Sequence, residues 1–112
     1  MKASLEAGYA ITLNRTHSIA DGLMPVRPGD LTFAHVRRFI DAVVTVDDSQ
    51  IADAVLWLFD KVSVLTEPSG AATVAAALAG AAQVEGPVVA IVSGGNVTME
   101  RLEELRKERA GH

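Results

Sequence analysis

Short runs of β-branched and apolar residues alternate with segments of helical periodicity along this chain of 112 residues. Such runs predict strands, and apolar residues three and four positions apart predict helices. Because helical segments of about 10 to 15 residues separate the runs, the strands are expected to pair in parallel through right-handed crossovers. The alternation therefore predicts a single α/β domain over residues 1–112. The predicted strands are "YAITL" at 9–13, "VVTV" at 43–46, "VSVL" at 62–65 and "PVVAIVSG" at 87–94, and the predicted helices cover 3–8, 33–43, 51–61, 68–82 and 98–112.

Capping signals support the predicted helices. A left-handed glycine commonly ends a helix, Ser, Thr and Asp begin one, and proline suits the first turn. The last helix, "TMERLEELRKERAGH", is rich in charge and is expected to be solvated, with Glu103 and Lys107 forming an i,i+4 pair. The predicted terminal residues of the other helices are Gly8, Thr32, Asp47–Ser49 and Pro68.

Composition excludes several classes of partner. A net charge of -4 argues against nucleic acid and anionic membranes, since both favour clustered Lys and Arg. The apolar content of 49% and the mean hydropathy of +0.25 are high for so small a chain, which predicts that some apolar surface meets another chain. The absence of cysteine fits a cytoplasmic protein, and the most apolar window, "GAATVAAALAGAAQV", is shorter than a membrane span of about 20 residues.

Generic catalytic and metal-binding motifs are absent from the sequence. The three histidines, His17, His35 and His112, lack the spacing of metal ligands, and no metal site is predicted. His35 is expected at the surface beside two arginines of its helix. Trp57 occurs at a spacing compatible with the core and is expected to pack there.

Three polar, glycine-containing loops are the best candidates for a site. They are "ADG" at 20–22, "TEPSGAA" at 66–72 and "SGGN" at 93–96, and they would converge at one edge of a parallel sheet. Two of them lead from a predicted strand into a helix, where backbone N–H groups favour a polar ligand. The residues alone leave two interpretations open, a small-molecule site or ordinary turns and helix caps.

Five sequence blocks in register resemble the C-terminal part of the serine/threonine dehydratases. These blocks are "SIADGL", "RPGDLTF", "VVTVDDSQI", "EPSGAA" and "SGGNV", and the similarity extends from "MKASLEAG" to "VSGGNV". The dehydratases are pyridoxal-phosphate enzymes of the tryptophan-synthase-β group, fold type II. The resemblance implies an α/β fold, a partial three-layer parallel sheet with flanking helices that forms the C-terminal portion of the large domain.

The resemblance also implies roles for six residues in binding pyridoxal phosphate. Ser93 would hydrogen-bond the pyridine nitrogen, because a hydroxyl can donate to an unprotonated ring nitrogen. Such a contact weakens the ring as an electron sink and suits β-elimination of water. Glu67 would lie near the ring, and the backbone of Gly22 would line the pocket. Gly94, Gly95 and Asn96 would shape the cradle of the ring.

Two parts of the family's active site have no counterpart in the sequence. One is the S-x-K-x-R-G block whose lysine forms the Schiff base, and the other is the glycine-rich loop that binds the phosphate. None of Lys2, Lys61 and Lys107 matches that block, and the family's divalent-cation site is also expected to be missing. The resemblance implies a chain that begins within the large domain and carries no catalytic residue of its own.

Two hypotheses follow for the function. In the first, the chain is part of a lyase that converts threonine or serine to a 2-oxo acid and ammonia, inactive alone unless a complementing N-terminal chain supplies the lysine. In the second, it is a non-catalytic α/β module that persists as a homo-oligomer. An incomplete domain exposes sheet edges and apolar helix faces, and a second copy can cover them.

Overall fold

The computed structural model describes residues 1–111, so His112 and its part of the predicted last helix lie outside the described residues. A short 3-10 helix, Asp21–Leu23, accompanies five α-helices in the described residues. The α-helices are α1 (Lys2–Ala7), α2 (Asp30–Phe39), α3 (Asp48–Val62), α4 (Pro68–Leu78) and α5 (Met99–Ala110).

Several helix ends confirm the capping predictions. Gly8 ends α1 in the left-handed conformation, with φ of 84°. Asp47 caps α3 through a capping box, in which its carboxylate accepts from the backbone N–H of Gln50 and the Gln50 side chain accepts from the N–H of Asp47. Pro68 occupies the first turn of α4.

Three other predicted helix boundaries are wrong. Thr32 does not cap α2, which begins at Asp30 because the carbonyl of Gly29 already accepts from the N–H of Phe33 at 2.8 Å. The helix ends at Phe39 rather than at residue 43. α4 ends at Leu78 instead of residue 82, because Gly80 turns the chain with φ of 63°.

The segments predicted as strands are not assigned as strands. No strand is assigned in residues 1–111, so the predicted parallel sheet is not confirmed. A strand is defined by repeated hydrogen bonds to a neighbour. The predicted strands make only isolated backbone contacts, such as Leu13 N–H to the carbonyl of Val26 at 2.9 Å. Within the described chain, the N–H groups of residues 88–92 donate to no backbone carbonyl.

The core is formed where α3 packs against α4 and α5. Its largest fully buried side chains include Val55 of α3 and Leu102 and Leu105 of α5. The prediction of a solvated last helix therefore needs correction, since this helix buries both leucines on α3. The expected ion pair of Glu103 and Lys107 is absent from the ion pairs of the described residues. A carboxylate oxygen of Glu103 lies 3.8 Å from the Nε of Arg106 instead. The other core residues are Ala20, Ile51, Ala52, Ala54, Leu58, Ala71, Val74 and Ala75.

The chain is more open than a compact domain of its size. It exposes 7755 Å², whereas a compact protein of this mass exposes about 5,900 Å². Its radius of gyration is 15.0 Å, against about 13 Å for a compact domain. Part of the excess is apolar, and Val89 and Ile91 are 90% and 74% exposed.

Trp57 is 41% exposed, so the prediction that it packs in the core is wrong, whereas His35 lies at the surface as predicted.

Candidate functional site

The first residues of α3 hold the "ADG" loop. The carboxylate of Asp48 accepts from the hydroxyl of Ser18 at 2.5 Å and from the N–H of Ile19 at 3.2 Å. The Ser18 oxygen in turn accepts from the N–H of Ala20, a residue that is 1% exposed. Asp48, predicted only to begin a helix, therefore also fixes the loop that carries Gly22.

Gly22 contacts the start of α4. Its N–H donates to the hydroxyl oxygen of Ser69 at 2.9 Å and to the Asp21 carboxylate at 2.8 Å. A Cβ added to Gly22 would come within 2.9 Å of the Ser69 Oγ. A side chain at this position would push the two loops apart, so a glycine allows the close approach.

The "SGGN" loop packs against the same end of α4. The carbonyl oxygen of Gly94 accepts from the Thr66 hydroxyl at 2.8 Å and from the Glu67 N–H at 3.3 Å. A Cβ on Gly70 would overlap the carbonyl oxygen of Ser93, and a Cβ on Gly94 would overlap the carboxylate of Glu67. Two glycines thus permit the contact between this loop and the first turn of α4.

The structure brings the three candidate loops together. They meet around the N-terminal turn of α4, with Ser69 contacting one loop and Thr66 and Glu67 contacting another. The sequence predicted that these loops would meet at the edge of a sheet. In the described residues they meet at the N-terminal end of α4 instead. All six predicted residues lie on these loops.

Three polar side chains on these loops make no hydrogen bond within residues 1–111. The Ser93 hydroxyl and the Asn96 amide form no hydrogen bond within residues 1–111. The Glu67 side chain is half-buried and is also without a hydrogen bond in the described part of the chain. These groups are therefore available to a ligand.

A cavity of about 300 Å³ opens beside the loops. Glu67 and Asn96 line it, whereas Ser93, Gly22, Gly94 and Gly95 do not. The other lining residues are Ile19, Asp21, Pro68, Val97, Thr98 and Arg101. A separate cavity of about 580 Å³ has mainly apolar walls and includes Lys2, His17 and Thr73, but none of the six predicted residues.

Arg101 is a cavity residue that sequence reasoning missed. Its guanidinium donates to Glu104 at 3.0 Å and to Glu108 at 3.2 Å, and these hydrogen bonds raise the pKa of Arg101 further. The capping residue Thr98, whose side chain accepts from the Arg101 N–H, places this arginine in the first turn of α5. The capping residue Thr98 is the sequence signal that could have placed Arg101 in the first turn of α5. Because two glutamates already engage it, Arg101 is not an uncompensated cation for a phosphate.

The comparison with protein families identifies the class. The sequence model of the family described as "Pyridoxal-phosphate dependent enzyme" matches residues 1–94. The chain therefore belongs to this family, as the resemblance of its motifs implied.

No helix in residues 1–111 is long and apolar enough to cross a membrane.

Similar proteins of known sequence include threonine and serine enzymes. The chain is 41% identical over 106 residues to the L-threonine ammonia-lyase of Thermotoga maritima, covering 94% of this chain and 26% of that protein. It is 42% identical over 112 residues to a serine racemase of Oryza sativa subsp. indica, covering 95% of this chain and 33% of that protein. The chain thus spans about a quarter to a third of the length of these relatives.

Solved structures share the fold. A threonine deaminase of T.th. superposes with a TM-score of 0.82 at 32% identity, covering 88% of this chain and 33% of that one. Maize serine racemase gives a TM-score of 0.80 at 39% identity, covering 96% of this chain and 35% of that one. The fold is therefore the one found in α/β enzymes of fold type II, although the described residues contain no sheet of their own.

The loops fit one end of the family's cofactor. The Ser93 hydroxyl, which makes no hydrogen bond within residues 1–111, suits a pyridine nitrogen, and a Cβ added to Gly95 would make only an ordinary contact with the Leu65 carbonyl oxygen at 3.7 Å. For the phosphate end, the described residues that line the cavity offer only Arg101 as a cation. The residues present thus fit the ring and not the phosphate.

Proposed function

We propose that this chain supplies the ring-binding side of a pyridoxal-phosphate site in a lyase that dehydrates L-threonine or L-serine to a 2-oxo acid and ammonia. The observation that carries the proposal is the position of Ser93 on a loop whose Gly94 carbonyl is bound at the start of α4 by Thr66 and by the Glu67 N–H, with the Ser93 hydroxyl making no hydrogen bond within residues 1–111. Membership of the family supports the choice of cofactor. The names of two relatives, threonine ammonia-lyase and serine racemase, support a small hydroxy-amino acid as the substrate.

Each loop has a defined task in this proposal. When bound, pyridoxal phosphate supplies an electron-withdrawing ring that eases loss of the α-proton and of the β-hydroxyl. The Ser93 hydroxyl would donate a hydrogen bond to the ring nitrogen and keep that nitrogen unprotonated. Glu67, at the start of α4, would lie near the ring. Gly94 and Gly95 would let the backbone approach the ring, Asn96 would help to hold it, and the Gly22 backbone would line the pocket.

The proposal requires a lysine and a phosphate-binding loop that residues 1–112 do not contain. Lys2, Lys61 and Lys107 belong to α1, α3 and α5, and none of them lines the cavity beside the loops. A complementing N-terminal segment with the S-x-K-x-R-G block and the glycine-rich loop would supply the covalent attachment and the phosphate contacts. The absence of cysteine fits a reducing compartment, and we place the function in the cytoplasm.

The alternative is a non-catalytic module that forms a homo-oligomer. It is favoured by the exposed area of 7755 Å² and by the N–H groups of residues 88–92, which donate to no backbone carbonyl within the described chain; a second copy could cover both. The two functions differ in a single requirement. The lyase needs Ser93 for its cofactor, and the module does not.

Reconstitution tests the proposal. The chain is mixed with a polypeptide that carries the S-x-K-x-R-G block and the glycine loop, and formation of the 2-oxo acid from threonine and from serine is measured with added pyridoxal phosphate. Activity should appear with the wild-type chain and fall with Ser93→Ala. Ser63→Ala is the matched control, because Ser63 is exposed and its hydroxyl makes no hydrogen bond in the described residues. Equal activity of the two variants would contradict the role of Ser93.

A further inference from the structure

The loop that carries Ser93 has little structure of its own. Residues 93–96 belong to no helix, and the side chains of Ser93 and Asn96 make no hydrogen bond within the described chain. A short bond from the Val97 N–H to the Gly95 carbonyl, at 2.8 Å, only tightens the turn. The position of Ser93 must therefore be set by contacts that come from elsewhere.

Thr66 provides the best-placed of these contacts. The residue is 1% exposed, and its hydroxyl lies 2.8 Å from the carbonyl oxygen of Gly94 and 3.2 Å from that of Glu67. A hydroxyl has one hydrogen to donate, and the nearer acceptor is Gly94. The Glu67 N–H donates to the same oxygen at 3.3 Å. Two donors from the segment that precedes α4 thus hold one carbonyl of the loop.

Gly70 allows this contact to form. A Cβ on Gly70 would lie 2.6 Å from the Thr66 hydroxyl oxygen and 2.8 Å from the Gly94 carbonyl oxygen. The absence of a side chain at Gly70 therefore lets the loop carbonyls seat directly on the first turn of α4. Thr66 itself does not line the cavity beside the loops, so it would act on a ligand only through its neighbours.

We propose that Thr66 is a positioning residue, whose buried hydroxyl holds the loop of Ser93 in place beside Glu67 at the start of α4. This inference rests on the proposed function, because it assigns a purpose to the position of Ser93. It concerns a hydroxyl that neither the composition nor the motifs single out.

Thr73 supplies a matched control from α4 itself. Its hydroxyl donates to the carbonyl oxygen of Ile91 at 2.7 Å, so it makes the same kind of bond to the same segment of chain. Ile91 precedes the loop, and Thr73 is exposed whereas Thr66 is buried. Thr66→Val and Thr73→Val each remove one hydroxyl bond, but only the first variant removes a donor from the Gly94 carbonyl.

The test measures binding of 4-deoxypyridoxine 5′-phosphate to the chain mixed with the complementing polypeptide that carries the S-x-K-x-R-G block and the glycine loop. This probe lacks the aldehyde and cannot form imines with lysines. Calorimetry gives its affinity, and absorbance over a pH series gives the pH at which the bound ring nitrogen is protonated. Thr66→Val should weaken binding about fivefold, the effect of one net hydrogen bond. It should also raise the pH at which the bound ring nitrogen is protonated toward the value for the free probe, because Ser93 is no longer held in position to donate to that nitrogen. Thr66→Ser and Thr73→Val should match the wild type in both measurements.

A double mutant shows whether Thr66 acts through Ser93. If it does, adding Thr66→Val to Ser93→Ala produces no further change in the protonation pH of the bound ring. Circular dichroism confirms folding of each variant, and Thr66→Ala replaces Thr66→Val if the latter does not fold. Unchanged affinity and ring protonation in the Thr66 variant, while the wild type binds, would overturn this inference alone. A mixture of the wild-type chain and the complementing polypeptide that does not bind the probe would overturn the proposed function and this inference together.

Discussion

Gly94 shows how one residue determines the shape of the candidate site. Its φ is 98°, a region that L side chains rarely adopt, and an added Cβ would overlap the Glu67 carboxylate. Its carbonyl is also the acceptor for Thr66 and for the Glu67 N–H. Conformation and packing therefore both require glycine at this position, and hydrogen bonds hold it there.

Replacement of Gly94 should cost more stability than replacement of a glycine with a similar backbone. Gly86 has φ of 84° and nothing within 4 Å of an added Cβ, so Gly86→Ala tests backbone strain alone. We expect Gly86→Ala to lower the free energy of unfolding by about 1 kcal/mol and Gly94→Ala by about 2 to 5 kcal/mol. Urea denaturation of both variants measures the difference. Equal losses would mean that Glu67 moves aside freely and does not constrain the loop.

Much of the candidate site could be predicted at the residue scale, but its supports could not. Glycines and polar residues after apolar runs indicated the loops of Gly22, Glu67 and Ser93. Thr66 was not singled out, because its partner is a backbone carbonyl 28 residues away. No local pattern in sequence encodes such a contact.

At the scale of elements, α5 illustrates how charge can conceal a buried face. Two leucines three positions apart are a weak apolar stripe in a helix otherwise dominated by charged residues. The structure buries both leucines on α3 and surrounds them with ion pairs, in which Arg106 binds Asp60 and Arg109 binds Asp53. The helix itself was predictable from its Thr98 cap, whereas the surface that it covers depends on α3.

The buried leucines should account for most of the attachment of α5. Leu102 is 0% exposed, so Leu102→Ala should lower the free energy of unfolding by about 2 to 5 kcal/mol. Met99 lies in the same helix and is 46% exposed, which makes Met99→Ala a suitable control with a much smaller effect. Thermal denaturation followed by circular dichroism compares the two. Similar losses in both variants would contradict the docking of α5 on α3.

The ion pair between α3 and α5 makes stability depend on pH. The Arg106 guanidinium donates to the Asp60 carboxylate at 2.7 and 3.0 Å and holds the pKa of Asp60 below its usual range. The resulting stabilisation is present above the unfolded-state pKa of about 4 and is lost as the pH falls through the lower folded-state pKa. Asp60→Asn should therefore lose less stability than the wild type when the pH is lowered from about 5 to about 2, as measured by urea denaturation. Identical pH profiles would show that the pair contributes nothing.

At the scale of the whole molecule, the sequence predicted the order of elements better than their assembly. Alternating β-rich and helical segments correctly located five helices, whereas none of the predicted strands is assigned in residues 1–111. The sheet could not be verified, because pairing requires partner strands and residues 88–92 have none in the described chain. The same feature explains why the exposed surface exceeds that of a compact domain.

This open surface should cause association. Val89 and Ile91 are the most exposed apolar side chains of the segment 88–92, so a second chain that pairs with this segment would bury them. We expect light scattering to show an oligomer of the isolated chain, and Val89→Lys to shift it toward the monomer. Val84→Lys is the control, since Val84 is 61% exposed but lies before this segment. A monodisperse monomer of the wild-type chain would contradict the homo-oligomer.

Borohydride trapping tests the central claim most directly. The chain is titrated with pyridoxal phosphate, alone and with the complementing polypeptide, and absorbance is followed before reduction and mass spectrometry. The account predicts a saturable band only in the mixture, trapped on the lysine of the added S-x-K-x-R-G block and weakened by Ser93→Ala. A saturable band in the chain alone, trapped at Lys2, Lys61 or Lys107, would contradict it.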